Sequence, residues 1–424
     1  MKSKYSFIAA LLLYSVTILG QNKPETDFFN GNELFSTVQK FVSLGEHRTG
    51  TPTDLATSDW LGKELVSYGY DVKYLEFPIR QFFPEKVSLS SGKETIKAFP
   101  LWWVNENINR TVTGNLVEAG EVKAYNKSTI ALIHLPLKQK KANPKIYIDS
   151  IINLGVKGIV AITDNPSGEI EAYNTNKDQQ PWKVPIILIA PKDSAKALEF
   201  VKNAKPVTLA INGTFKEVKG RNVYGTIGNG DQYIVISTPI SGWFTCGGER
   251  GSGIAIWLSL AKWAAAQKSK YTFVFTGNSG HEHAFKGAHE FLERNAPPVE
   301  KTHLWIHFGA GAATLEFKNT ASGLVKQNNV DPKRTFFYND PVKNSFNTAF
   351  SGINAVKVLA NENPGGELIY VAKKGYKRFA GVAYVHPFFH VNTDDANTTS
   401  PEILEATAKA FRDFITEDIK VQPN

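Results

Sequence analysis

The chain has 424 residues, 42% of them apolar and 12% aromatic, enough for a sizeable core and, at this length, for two domains. Its formal charge is +8, but the basic residues are scattered and no nucleic-acid motif accompanies them, so nucleic acid is not expected as a partner. A solvated basic surface accounts for the charge, with an anionic substrate or cell surface left open.

Lys2 and Lys4 precede an apolar run from Phe7 to Leu19, and Gly20–Gln21 suits cleavage. Residues 1–20 therefore read as a secretory signal, the alternative being a single membrane anchor. No cysteine follows the run, which argues against a lipid anchor. No later run is long enough to span a bilayer. The mature chain is expected to be secreted or periplasmic, without stable membrane insertion. Cys246 is the only cysteine, so an intrachain disulfide is excluded and an exported fold must rest on its core.

Asn32 to Tyr70 predicts two helices, broken at Gly45–Gly50. Leu34, Phe35, Val38 and Phe41 mark the first, and Ala56, Trp60, Leu61 and Leu65 the second. Val72–Phe77 alternates like a strand. From Leu101 to Thr214, strands at Thr129–His134, Gly158–Thr163 and Pro185–Ala190 alternate with helices at Lys145–Leu154 and Asp193–Asn203, a small α/β unit. His134 there reads as a satisfied buried or edge histidine. Larger α/β elements follow. Strands are expected at Tyr233–Ser237, Tyr271–Thr276 and Leu304–Phe308, and helices at Gly251–Gln267, Ala284–Arg294 and Pro401–Ile419. Asn319 to Asn347 is polar and poorly patterned, and reads as loops near a site.

Seven of the nine histidines lie between His281 and His390. Histidine is the commonest metal ligand and proton shuttle near neutral pH, so this third of the chain is where chemistry is expected. Two motifs lead into this stretch, ERGSGIAIWLSLA from Glu249 and FTGNSGHEHAFKGAHEFL from Phe275. Earlier stretches are HRTGTPTD, ELVSYGYDVKYLEF, INLGVKGIVAI, VPIILIA and GRNVYGTI followed by YIVIS.

In this order the motifs resemble the co-catalytic zinc aminopeptidases, metallopeptidase family 28, with an inserted protease-associated domain. The likeness covers nearly the whole mature chain. It implies an α/β fold with a mixed central sheet flanked by helices. Residues 28–98 and 217–420 would form the catalytic domain, and residues 99–216 the small inserted α/β domain. The family's His-x-Asp pair falls on Pro239 and Ser241, and its bridging Asp on Glu249. Its Glu-Glu pair falls on His281 and Glu282, its next acid on His307 and its last His on His390. The resemblance thus implies one zinc ion, held by Glu249, Glu282 and His390, with an open fourth position. The related glutaminyl cyclases have a comparable one-zinc arrangement.

Each residue has a plainer reading beside it. Glu249, at the mouth of a helix, is equally explained by the helix dipole or by an ion pair with Arg250. Glu282 follows a strand and a glycine turn, where open α/β sheets place active sites. His281 is the candidate proton shuttle or a residue orienting the site. His307 is a further ligand or a buried, hydrogen-bonded histidine. His390 precedes Asp394 and Asp395, whose carboxylates would orient its ring; His386 competes for its role. His283 and His289 read as structural. Cys246 reads as a small buried residue rather than a nucleophile. Trp243, Phe308 and Phe389 are expected to line a substrate pocket, with core packing as the alternative.

The expected function is an exported metal-dependent hydrolase of amide bonds, acting on a small peptide or other small molecule. Two alternatives stand beside it: the same pocket turned to a glycan, ester or acyl substrate, and a catalytically inactive binding protein on the same scaffold.

Overall fold

A computed structural model of the chain describes residues 27–120, 128–135, 144–174, 180–321 and 323–420; the expected signal at 1–20 lies outside them. Helix α1 (Gly31–Ser43) starts where the Asn30 side chain accepts hydrogen bonds from the N–H groups of Asn32 and Glu33. It buries Leu34, Val38 and Phe41. Helix α2 (Pro52–Ser67) is capped by Thr51, with a proline in its first turn.

Strands β1 (Asp71–Ser91), β2 (Glu94–Lys97), β3 (Phe99–Pro100), β4 (Thr111–Glu118) and β5 (Thr129–Leu135) come next. Helix α3 (Pro144–Asn153), β6 (Gly158–Thr163), β7 (Ile186–Ile189), α4 (Ser194–Lys202) and β8 (Pro206–Ile227) follow. Then come β9 (Gln232–Pro239), α5 (Ser252–Ala265), β10 (Tyr271–Asn278), α6 (Lys286–Arg294) and β11 (Thr302–Ala310). The remainder is β12 (Leu315–Thr320), β13 (Gly323–Val330), β14 (Thr335–Tyr338), α7 (Lys343–Ala349), β15 (Val356–Leu359), α8 (Leu368–Lys374), β16 (Phe379–Ala383) and α9 (Pro401–Lys420).

Fourteen strands form one sheet, in the order β15-β14-β16-β11-β9-β10-β8-β4-β5-β6-β7-β3, with β1 on β8 and β2 on β1. The centre is parallel: β10, β9, β11 and β16 run side by side in one direction. Helix α5, buried along nearly its whole length, shares a core with α1, α2 and α9. Strands buried on both faces read as continuous apolar runs, which is why these elements were legible.

Two expectations change. The strand foreseen at Val72–Phe77 extends to Ser91 and pairs antiparallel with β8 almost throughout, with a bulge between Pro84 and Lys86. Pro78, Phe82–Phe83 and Pro84 interrupt the alternation that sequence periodicity relies on. Residue 216, the expected end of the insert, lies inside β8, so the sheet passes unbroken between the two expected parts. Asn319 to Asn347 is also not loop: β12 and β13 form a polar hairpin, and β14 and α7 follow. No helix among the described residues is long and apolar enough to cross a membrane.

Candidate functional site

The carboxyl ends of β9, β10 and β11 meet in a buried polar cluster, the position where open α/β sheets carry their sites. Glu249 and Arg250 lie on a single turn of π-type winding, Gly247–Gly251, which opens α5. The Asp394 carboxylate holds this turn, accepting from the N–H groups of Gly248 and Glu249 at 2.9 Å each. Gly248 permits the approach, since a Cβ there would lie 2.3 Å from Thr398 Oγ1. Asp394 is therefore not the partner that orients His390, as its sequence position suggested. His386 instead places Nε2 3.5 Å from Asp394 Oδ2.

Glu249 Oε1 lies 2.6 Å from Arg250 Nη2 and 3.4 Å from His390 Nε2. The contact with Arg250 is an ion pair not aligned as a hydrogen bond, since Nη2 and both Glu249 oxygens lack hydrogen-bond partners. Burial alone would raise the Glu249 carboxyl, but Arg250 and His390 outweigh it and carry the pKa down to about 2. The Arg250 guanidinium is itself buried, donating through Nε to Ser241 O at 3.1 Å and through Nη1 to Gly309 O.

His390 adopts φ +61°. Its Nδ1 donates to Ala172 O at 3.0 Å, and Ala172 N donates back to His390 O at 2.9 Å. A bridge between Glu171 and Val391 extends this contact, so Glu171 and Ala172 strap the His390 loop. With Nδ1 committed to this carbonyl, the free edge of the ring, Nε2, faces Glu249.

Glu282 faces elsewhere. Its Oε1 accepts from Thr49 N at 2.6 Å and its Oε2 from Ser241 Oγ at 2.9 Å. Thr49 Oγ1 in turn accepts from Gly280 N and donates to Ser241 Oγ. The HRTGTPTD segment thus captures the carboxylate. Next along the chain, His283 bonds Gln81 Oε1 through Nε2 at 3.1 Å, and burial lowers its pKa to about 4.

His281 Nδ1 lies 2.7 Å from Glu367 Oε1. Burial pushes both toward neutrality, His281 well below its usual range and Glu367 up to about 8, the latter also raised by Glu282. His307 bonds Ser237 Oγ through Nδ1 at 2.9 Å, while its Nε2, 3.9 Å from Glu367 Oε2, has no hydrogen-bond partner.

The aromatic expectations fare unevenly. Trp243, 1% exposed, donates to Asn174 Oδ1 and packs edge-on against Trp102. Phe308, also 1% exposed, packs on Phe411 in the core. Neither presents a surface to a ligand, because both fill the packing between layers. Phe389 is half-buried and stacks on His390 with centroids 3.8 Å apart. Cys246 is buried and its thiol pushed well above its usual range by burial, so it is no nucleophile.

These groups do not fit the expected zinc. Among the described residues no group of three or more His, Cys, Asp or Glu side chains is arranged to hold a metal ion. Glu249 and His390 do meet, but Glu282 is bonded to Thr49 and Ser241, and the Arg250 guanidinium lies on Glu249. The ion-pair reading of Glu249 is the one the geometry realises. Sequence reasoning missed Glu367, which sits in an irregular Pro-Gly-Gly-Glu stretch without periodicity. It also missed the Ala172 strap, whose partner lies 218 residues away.

No family model matches the chain, and no curated protein matches it. Solved structures do. A zinc aminopeptidase from Bacillus subtilis superposes with a TM-score of 0.72 at 15% identity, over 92% of this chain and 95% of its own. A peptidase M28 precursor from Shewanella amazonensis gives 0.70 at 14% identity, over 93% and 97%. An aminopeptidase from Aneurinibacillus gives 0.63 at 17%, over 91% and 93%. The chain therefore has the mixed-sheet α/β fold of these enzymes, and at such identity the likeness concerns the fold.

Proposed function

We propose that the chain is an exported binding protein on the zinc-aminopeptidase scaffold, taking a short peptide or another small polar ligand without zinc-dependent cleavage. The observation that carries this reading is the engagement of both Glu282 carboxylate oxygens by Thr49 N–H and Ser241 Oγ. The third ligand of the expected ion is thereby turned into a structural tie.

A binding role is supported by the polar atoms that remain. Glu249 Oε2, Arg250 Nη2, His307 Nε2, Glu367 Oε2 and His390 Nε2 are buried without hydrogen-bond partners. Each such atom costs about 1–3 kcal/mol when left unmatched, so a cluster of them suits a polar guest. Access would come through the strap between Ala172 and His390.

A second reading has one observation in its favour. Glu249 Oε1 and His390 Nε2 stand 3.4 Å apart, close to the roughly 3.3 Å between two ligands of a tetrahedral zinc with bonds of about 2 Å. A one-zinc amide hydrolase would follow if Glu282 were released.

Metal analysis of the purified mature chain, with aminoacyl-anilide turnover and peptide-binding calorimetry, separates the two. Metal well below one ion per chain, no turnover and saturable binding are expected. Stoichiometric zinc, with turnover abolished by a chelator, would establish the hydrolase instead.

A further inference from the structure

Glu249 is a carboxylate held away from water, and such a group needs a countercharge. In an enzyme of this fold a metal would supply it. Here the Arg250 side chain is folded back over its own turn, with Nη2 2.6 Å from Glu249 Oε1. Two backbone carbonyls aim it: Ser241 O, just after β9, and Gly309 O, within the end of β11. Gly309, which supplies the second carbonyl, is packed so closely that a Cβ there would meet Val382 O at 2.7 Å. The guanidinium charge thus sits on Glu249 and is also felt by His307 and Glu367. Arginine also carries a planar, delocalised charge suited to a buried ion pair with a carboxylate.

We infer that Arg250 is the resident cation of this centre, supplying the positive charge that a metal would otherwise bring and excluding a divalent ion from Glu249 and His390. The inference rests on the metal-free reading above and deepens it. A divalent ion bound to Glu249 and His390 would press against the guanidinium in a dry environment, where like charges repel strongly. Removing one member of a buried pair strands the other, whereas removing both is far better tolerated.

The test is thermal unfolding of the full mature chain, with added zinc and with chelator. It compares wild type, Arg250→Met and the Glu249→Gln/Arg250→Met double variant. Wild type is expected to ignore zinc and chelator. Arg250→Met is expected to melt several degrees lower and to recover in zinc, because the Glu249–His390 pair is then open to a cation. The double variant is expected to melt above the single one and to be indifferent to zinc. A merely structural arginine, valued for its bonds to Ser241 and Gly309, would not be rescued by Glu249→Gln. A double variant no more stable than the single, or a single variant indifferent to zinc, overturns the Arg250 assignment and leaves the binding role standing. Wild-type melting raised by zinc and lowered by chelator overturns the metal-free reading itself. Should Arg250→Met not fold, the double variant decides, its folding supporting the assignment and its failure overturning it.

Discussion

Thr49 and Glu282 are 233 residues apart along the chain and joined by a 2.6 Å bond from backbone N–H to carboxylate. That bond fastens the segment between α1 and α2 to the turn after β10, and Ser241 completes it from the end of β9. Ser241→Ala removes the donor to Glu282 Oε2 and the acceptor for His281 N–H. Losing a hydrogen bond to a buried charged group costs about 1.5–3 kcal/mol. Urea unfolding of the variant should show a loss of that size; an unchanged midpoint would show that the Ser241 bond does not hold Glu282.

Stability should rise toward neutrality, because burial holds His47, His281, His283 and His307 below their ordinary 6.5, and then fall as pH rises from about 7 toward 8. Burial raises the Asp54 carboxyl to about 8, and burial with Glu282 raises Glu367 to about 8, against ordinary values of 3.8 and 4.5. Both stay protonated in the fold where the unfolded chain has ionised. Their stabilising effect is therefore full below about pH 4 and declines as pH rises toward 8. Glu249, lowered to about 2, works the other way and loses its contribution only as pH falls below about 4.5. Glu367→Gln should flatten the decline between about pH 7 and 8, roughly by half. Denaturation midpoints across that range measure it, and a slope identical to wild type would refute the role assigned to Glu367.

The strap over His390 should open locally. Ala172 N donates to His390 O, so Ala172→Pro deletes that bond while leaving the side chain small. Amide exchange in residues 386–395 should accelerate with little change in α5. Equal acceleration in both would mean that the strap holds the core rather than the entrance.

Cys246 should report on global opening. Its thiol is enclosed, with Sγ 3.7 Å from Phe244 O, and is kept protonated by burial. A thiol reagent should therefore modify it only at the rate of unfolding. Rapid labelling of the native chain would place Cys246 at an accessible surface.

The architecture was largely readable from the sequence because its central strands and α5 are apolar on every side, which gives runs that periodicity and turn residues delimit. The site was readable only as a set of positions. The resemblance of the motifs to a known family pointed to Glu249, Glu282, His307 and His390 but could not say which way each side chain turns. That was settled by Thr49, Arg250 and Ala172, partners contributed by a loop, a neighbouring side chain and a distant strap. Glu367 carried no signal, since an acid in an irregular stretch looks like solvated surface until burial is known.

Strands β1 and β8 serve both halves of the molecule as a common spine. A lobe attached by such a girder cannot swing like a door on a floppy tether. Deleting residues 99–216 would take Pro206–Lys216 out of β8 and leave the far end of β1 without its partner.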